Sequence, residues 1–248
     1  MLAKKNAHPR DKAIEFDEKP HIYTVKGDSD YTSVTKWVHS HFDTFNADKV
    51  IQGMMSKENW NTKGHKYYGM KPHEIKKQWS LNGKEASKAG TKLHNDIEDF
   101  YNGKSVTNNS KEYDFFKNFY ETHSELKAYR TEWMIYHEEL KLAGSIDMVY
   151  SNPDGILMIY DWKRCGNISK HSPWNKYALT PAIEDIPDTN YWHYAMQLNT
   201  YKYILEDKYD KIVTDLYLVC LHPDKTDYEC IKIPDLQDVI RNLMKLRT

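Results

Sequence analysis

The sequence predicts a mixed α/β (α+β) fold, a mixed β-sheet flanked by helices with a mostly helical N-terminal part. Three observations carry this. Helical patterning dominates residues 46–127, strand-like runs follow over 129–163, and the chain then reads helix, strand, strand, helix. Helices in a block, then a β-meander, then alternation, give layers in which helices cover the faces of a sheet.

The elements follow in order. "HIYTVKGDSDYTSVTKWVHSHF", residues 21–42, reads as a short hairpin entering a helix, with Thr32 or Ser33 as its N-cap. A hydroxyl there accepts from an amide that the first turn leaves unpaired. Helices are predicted over 46–60, 72–80 and 85–101, the last stopped by Asn102–Gly103. "SKEYDFFKNFYETHSELK" (110–127) is a further helix. Strands are expected near 129–137, 141–150 and 156–163, then a long loop over 165–189, a helix over 190–206, strands near 212–221 and 227–233, and a helix over 235–246. No repeat or Gly/Ser-rich linker divides the chain. One domain over 1–248 is expected, with 1–84 a mostly helical extension and 85–248 the core.

Composition narrows the function. A net charge of −1 excludes a protein that coats nucleic acid by bulk charge, so any polyanion must meet a local patch. Cys165, Cys220 and Cys230 are too few and too scattered for a disulfide framework or a CxxC metal knuckle. No run approaches the length of a membrane span, and the N-terminus lacks a secretory apolar core, so a soluble, intracellular protein is expected, with no membrane partner. Abundant Lys, Asn, Tyr and Ile suit an AT-rich genome.

The segment "AGSIDMVYSNPDGILMIYDWKRC" (143–165) raises the functional question. Its turn formers at 151–155 make the flanking strands antiparallel. With Tyr150 facing Ile156, Asp147 lies opposite Ile159 and Asp161 sits one diagonal step away, roughly 7 Å between backbones. Lys163 shares that face, because strand side chains alternate. Ile146, Met148, Tyr150, Ile156, Met158, Tyr160 and Trp162 form the opposite, apolar face. Converging carboxylates favour a hard cation between them, and a lysine beside it can orient or deprotonate a water or offset charge on a phosphate. The competing reading is an exposed Asp–Lys pair on a solvated sheet face.

Further pieces lie on helices. In "GKEASKAGTKLHNDIEDFYNG", Ala86, Ala89, Leu93, Ile97 and Phe100 form a core stripe, and Gly90, His94 and Glu98 line the adjacent strip at spacings of four. His94 and Glu98 either reach a metal at the sheet or form a surface pair. In "YWHYAMQLNTYKYILE", Tyr194, Gln197 and Tyr201 lie near one strip; Gln197 and Tyr201, four apart, either contact a nucleotide or support the lysine, or the Tyr-rich helix simply packs on the sheet. Residues 57–88 hold eight lysines against three glutamates, interleaved with Trp60, Tyr67, Tyr68 and Trp79. Such a mixture suits a single-strand platform as well as a solvated helical region. Arg164, Lys170 and Lys176 sit in the long loop beside Trp174 and Tyr177. His39 and His41 receive no role.

Taken in order, "GTKLH" with Glu98, "GSID", "DWK" and Gln197–Tyr201 resemble the PD-(D/E)XK nuclease superfamily, over about residues 86–206. The likeness is to its RecB-type and lambda-exonuclease-like branches, and most to exonucleases of large DNA viruses and phages. The resemblance implies a restriction-endonuclease-like core. It implies that Asp147, Asp161, His94 and the backbone carbonyl of Trp162 hold Mg²⁺, with Mn²⁺ able to substitute. Lys163 would act on the attacking water and Glu98 would assist. Gln197 and Tyr201 would position DNA, with Arg164, Lys170 and Lys176 flanking the channel. Asp161 stands where many relatives have Glu. The iron–sulfur cluster of some relatives is not expected, since its cysteines are missing. The implied function is a metal-dependent deoxyribonuclease, an exonuclease before an endonuclease. It would act on DNA that is single-stranded or has free ends, in recombination, repair or replication, with a protein partner from those processes and a viral or phage source. Oligomeric state stays open. The alternatives are a non-catalytic DNA-binding module of the same fold and a structure-specific endonuclease.

Overall fold

In a computed structural model describing residues 1–247, the chain falls into two compact units, residues 1–43 with 93 onward, and Thr44–Lys92. The division expected at residue 84 is displaced. Residues 1–43 join the larger unit because its sheet uses one of their strands.

The larger unit opens with α1 (Leu2–Lys5), a 3₁₀ turn (Pro9–Ala13), the antiparallel hairpin β1 (Ile14–Asp17) and β2 (Ile22–Val25), and the short strand β3 (Thr32–Ser33). Helix α2 (Val34–His39) starts at Ser33, whose hydroxyl accepts from the Lys36 amide, as the cap reading expected. The smaller unit holds α3 (Ala47–Met55) and the start of α4 (Pro72–Tyr101). The two helices expected at 72–80 and 85–101 are therefore one. Gly83 does not break it, since a helical glycine costs only about 1 kcal/mol. Next come α5 (Lys111–Thr122), strands β4 (Lys127–His137), β5 (Leu142–Ser151) and β6 (Leu157–Lys163), α6 (Asn190–Lys208), β7 (Val213–Cys220), β8 (Glu229–Ile233) and α7 (Gln237–Lys245).

Six strands, β3 to β8, make one mixed sheet. Strand β4 pairs antiparallel with β5 along Lys127–Ser151 through His137–Leu142, and so occupies one whole edge of β5. The other edge is shared. Strand β6 takes residues 148–151 and β3 takes Leu142 and Ala143, in parallel. Residues 144–147 lie in the gap. The β6–α6–β7 connection joins parallel strands, and β8 closes the far edge antiparallel.

Both faces of the sheet are buried, so the core expected on one face extends also to the face that carries the acids. Val149, Ile159 and Leu218 share a core with Ala195, Leu198 and Leu205 of α6. Met148, Tyr150, Tyr160 and Trp162 share another with Leu93 and Ile97 of α4 and Phe116 and Phe119 of α5. Burying one such side chain contributes about 1.5–3 kcal/mol, so the acidic positions on β5 and β6 interrupt a layer that is otherwise worth keeping apolar. Ala86 of the expected core stripe is exposed, whereas Leu93 and Ile97 are buried.

Candidate metal centre

The centre forms where β5 and β6 separate. Their ladder runs from Ser151↔Leu157 to Met148↔Tyr160 and stops. Asn152 sets this register: its side chain accepts from the amides of Asp154 and Ile156, and Gly155 supplies a φ of +79°. Tyr150 thus faces Met158 rather than Ile156. The difference is even, so the faces are as expected. Extended one step, the same register sets Asp147 opposite Asp161 rather than diagonal to it. Past the last ladder pair a side chain replaces the backbone partner, and the Trp162 amide donates to Asp147 Oδ2 at 3.0 Å.

His94, Glu132 and Asp147 offer ligand atoms that all lie within 4.8 Å of one another. His94 Nδ1 is 3.5 Å from Asp147 Oδ2 and 3.8 Å from Glu132 Oε1. Its Nε2 lies 2.9 Å from the Trp162 carbonyl oxygen, which can only accept, so that nitrogen carries a proton. Burial would lower the pKa of this imidazole, but Asp147 and Glu132 reverse the effect and push it up to about 9. With no cation between them, these carboxylates favour the charged form of the ring, and a metal ion would take the place of the Nδ1 proton.

Asp161 does not join that group of three. It is 2% exposed, and its Oδ2 meets Lys163 Nζ at 2.5 Å, while Oδ1 has no hydrogen-bond partner among the described residues. Burial, opposed by the Lys163 charge, raises its carboxyl to about 7. Asp147 is raised as well, by burial first. Burial disfavours the Lys163 ammonium, yet Asp161 and Asp147 together hold it above its ordinary range, and it lies over the Tyr194 ring at 4.8 Å. The exposed Asp–Lys pair is therefore excluded.

His94, Asp147 and the Trp162 carbonyl lie together, with that carbonyl engaged by His94, and Asp161 and Lys163 form a buried pair that interacts electrostatically with Asp147. Glu98 stays outside the three-residue group, half-buried, with its pKa raised by burial and by the Glu132 charge. The acid that does join is Glu132, held by a hydrogen bond from Ser145 Oγ at 3.0 Å. It has a φ of +41° and lies between the pairs Thr131↔Met148 and Trp133↔Ile146, across from Asp147. The sequence carried a signal for it, since a tight turn after His137 pairs 132 with 147.

Several DNA-binding assignments change. Tyr201 is 3% exposed and packs against Gly144, so it is a core residue rather than a surface contact. Its hydroxyl accepts from Gln197 Nε2 at 3.1 Å, and Gln197 stays half-buried. Arg164 is tied to Glu112 at 2.6 Å, with both side chains largely buried. Lys176 pairs with Asp43 at 2.8 Å, and Lys170, which is exposed, lies over the Tyr191 ring.

No family model and no curated protein matches the sequence. Among solved structures the chain is similar to SSO0001, at 14% identity and a TM-score of 0.33, over 88% of this chain and 75% of that one. It is also similar to a candidate exonuclease from Eubacterium rectale, at 11% identity and a TM-score of 0.40, over 90% of this chain and 79% of that one. No helix among the described residues is long and apolar enough to cross a membrane.

Proposed function

We propose that the chain is a divalent-metal-dependent deoxyribonuclease of the PD-(D/E)XK type, acting as an exonuclease in recombination, repair or replication. The buried Asp161–Lys163 pair beside the His94–Glu132–Asp147 group carries the reading. Burying two charges is costly unless both are well satisfied, and Asp161 Oδ1 is not. A hard cation fits this donor set. Asp147 and Glu132 would supply carboxylate oxygens, with Asp161 beside them, Trp162 would supply a carbonyl, and His94 its Nδ1 once that nitrogen has lost its proton. Mg²⁺ is the ion that oxygen-rich sites of this kind suit, with Mn²⁺ as substitute.

When bound, the ion polarises a phosphodiester and lowers the pKa of water. The residues do the rest. Lys163 presents ammonium N–H groups at the same place, able to orient a water or meet charge on a phosphate oxygen. Tyr194 confines that ammonium from one side. Asp147 holds the β6 backbone through the Trp162 amide. Gln197, half-buried on α6 and donating to the Tyr201 hydroxyl, would meet the substrate from that helix.

The test is product analysis on end-labelled single- and double-stranded DNA with Mg²⁺, Mn²⁺ or EDTA, alongside Lys163→Ala. Stepwise loss from an end with Mg²⁺, absent in EDTA and in the variant, is the expected result. A folded variant digesting at the parental rate overturns the assignment. Cutting of closed circular DNA overturns the exonuclease part alone.

A further inference from the structure

Charge is divided unevenly between the two units. Thr44–Lys92 carries ten lysines against four acids, net +6, and the remaining residues hold 25 Lys and Arg against 32 acids, net −7. Cations of the larger unit mostly have local partners, as with Arg10–Glu138, Arg130–Asp11, Lys141–Asp28 and Lys232–Asp215. In the smaller unit Lys76 pairs with Asp48, but Lys63, Lys66, Lys71, Lys77, Lys84 and Lys88 have no carboxylate within ion-pair distance among the described residues.

Three of these form a stripe. Lys77, Lys84 and Lys88 stand seven and four residues apart on α4, so they share one helix face over a rise of about 16 Å. All three are exposed, and so is every residue from Ser80 to Lys88. A helix stretch exposed all round gains nothing from a core and is held by its ends or by a partner. Aromatic rings lie in the same unit. Phe45 is 70% and Tyr68 54% exposed, and the Trp79 indole donates to the Tyr67 hydroxyl.

We infer that the Lys77–Lys84–Lys88 face of α4, with the exposed rings of its unit, binds single-stranded nucleic acid. This deepens the nuclease reading, on which the identity of the strand as substrate rests. Lysines spaced along a line match a phosphate backbone, and rings that expose their faces accept unpaired bases. An anionic bilayer fits less well, because Leu81 is the one large apolar side chain between Ser80 and Lys88 and a single leucine makes no apolar face, with Ser80, Asn82 and Ser87 lying off the lysine stripe.

The experiment uses the full chain in EDTA, so that no cutting occurs. Binding of a fluorescent oligo-dT strand and of a duplex of equal length is measured across a salt series. The comparison is with Lys77→Gln/Lys84→Gln/Lys88→Gln, its Lys→Arg counterpart, and Tyr68→Ala. Each backbone contact to a single strand contributes about 0.7 to the log–log salt slope. The triple glutamine variant is expected to lower the slope by about 2 and the arginine variant to keep it. Tyr68→Ala is expected to weaken single-strand binding about 5- to 150-fold. An unchanged slope in the glutamine variant, tighter binding to duplex, an unaffected Tyr68→Ala, or equal capture by phosphatidylserine vesicles overturns the inference. Strand binding with these properties in a protein that cuts nothing with Mg²⁺ sinks only the nuclease reading. Cutting with an unchanged slope sinks only this one.

Discussion

His94 Nε2 lies 2.9 Å from the carbonyl oxygen of Trp162, so one imidazole joins α4 to β6 while its other nitrogen faces Asp147 and Glu132. A hydrogen bond from a charged donor contributes about 1.5–3 kcal/mol. His94→Leu is expected to lose about that much stability in EDTA, read from urea unfolding. A variant as stable as the parent would show that the bond holds nothing together.

The Asp161–Lys163 pair predicts a coupled loss. Breaking a buried ion pair by removing one partner costs about 3–5 kcal/mol, whereas removing both leaves no orphaned charge. Lys163→Met should fall near the low end, because Asp161 can take up a proton, its carboxyl being raised to about 7. Asp161→Asn/Lys163→Met should recover much of the loss. A double-mutant cycle giving strictly additive effects would contradict the pairing.

Glu132 trades stability for charge. A non-glycine residue in the left-handed region costs about 1–2 kcal/mol, and Glu132 has a φ of +41° beside a second carboxylate. Glu132→Gly is expected to melt at or slightly above the parental temperature while binding Mn²⁺ at least about tenfold more weakly by calorimetry. Undiminished Mn²⁺ affinity would remove Glu132 from the centre.

Gly144 is required by a neighbour. A Cβ there would lie 2.7 Å from Tyr201 Cε1. Overpacking of this kind costs about 1–3 kcal/mol, so Gly144→Ala should destabilise by that amount, and Gly144→Ala/Tyr201→Leu by less than the sum of the two single changes. Additive losses would place the clash elsewhere.

Asp11 controls the acid limb. Burial opposes its charge, but donors from Arg130 at 2.7 Å, the His8 amide at 2.9 Å and the Trp133 indole at 2.9 Å hold its pKa below the ordinary carboxylate value. With the folded pKa depressed, its contribution is present above about pH 4 and fades as pH falls through the lower folded value. Asp11→Asn should flatten the decline of urea stability between about pH 4 and pH 2. An unchanged slope would assign the acid limb to other groups.

Much of this arrangement was legible in the residues. Asp147, Asp161 and Lys163 fell on one face because an even change of register leaves faces unaltered. The Ser33 cap was legible for a local reason, as a hydroxyl and an amide three residues on suffice. Glu132 is harder to find, because its place depends on the first turn of the meander, whereas the second turn alone brings Asp147 and Asp161 to one face. The depth of Tyr201 was hidden for a similar reason, since helix spacing gives a strip but not the glycine across from it. The ion pairs of Arg164 and Lys176 need Glu112 and Asp43, 52 and 133 residues away in sequence, which no local pattern reports.

Strand β3 meets β5 at Thr32↔Leu142 and Ser33↔Ala143, with Thr44–Lys92 intervening. During synthesis the first segment must therefore wait, without its partner, until some hundred further residues have left the ribosome. Closing so long a loop is slow, so the late step in acquiring the native state should be the docking of this early-made segment rather than formation of the β4–β5 hairpin.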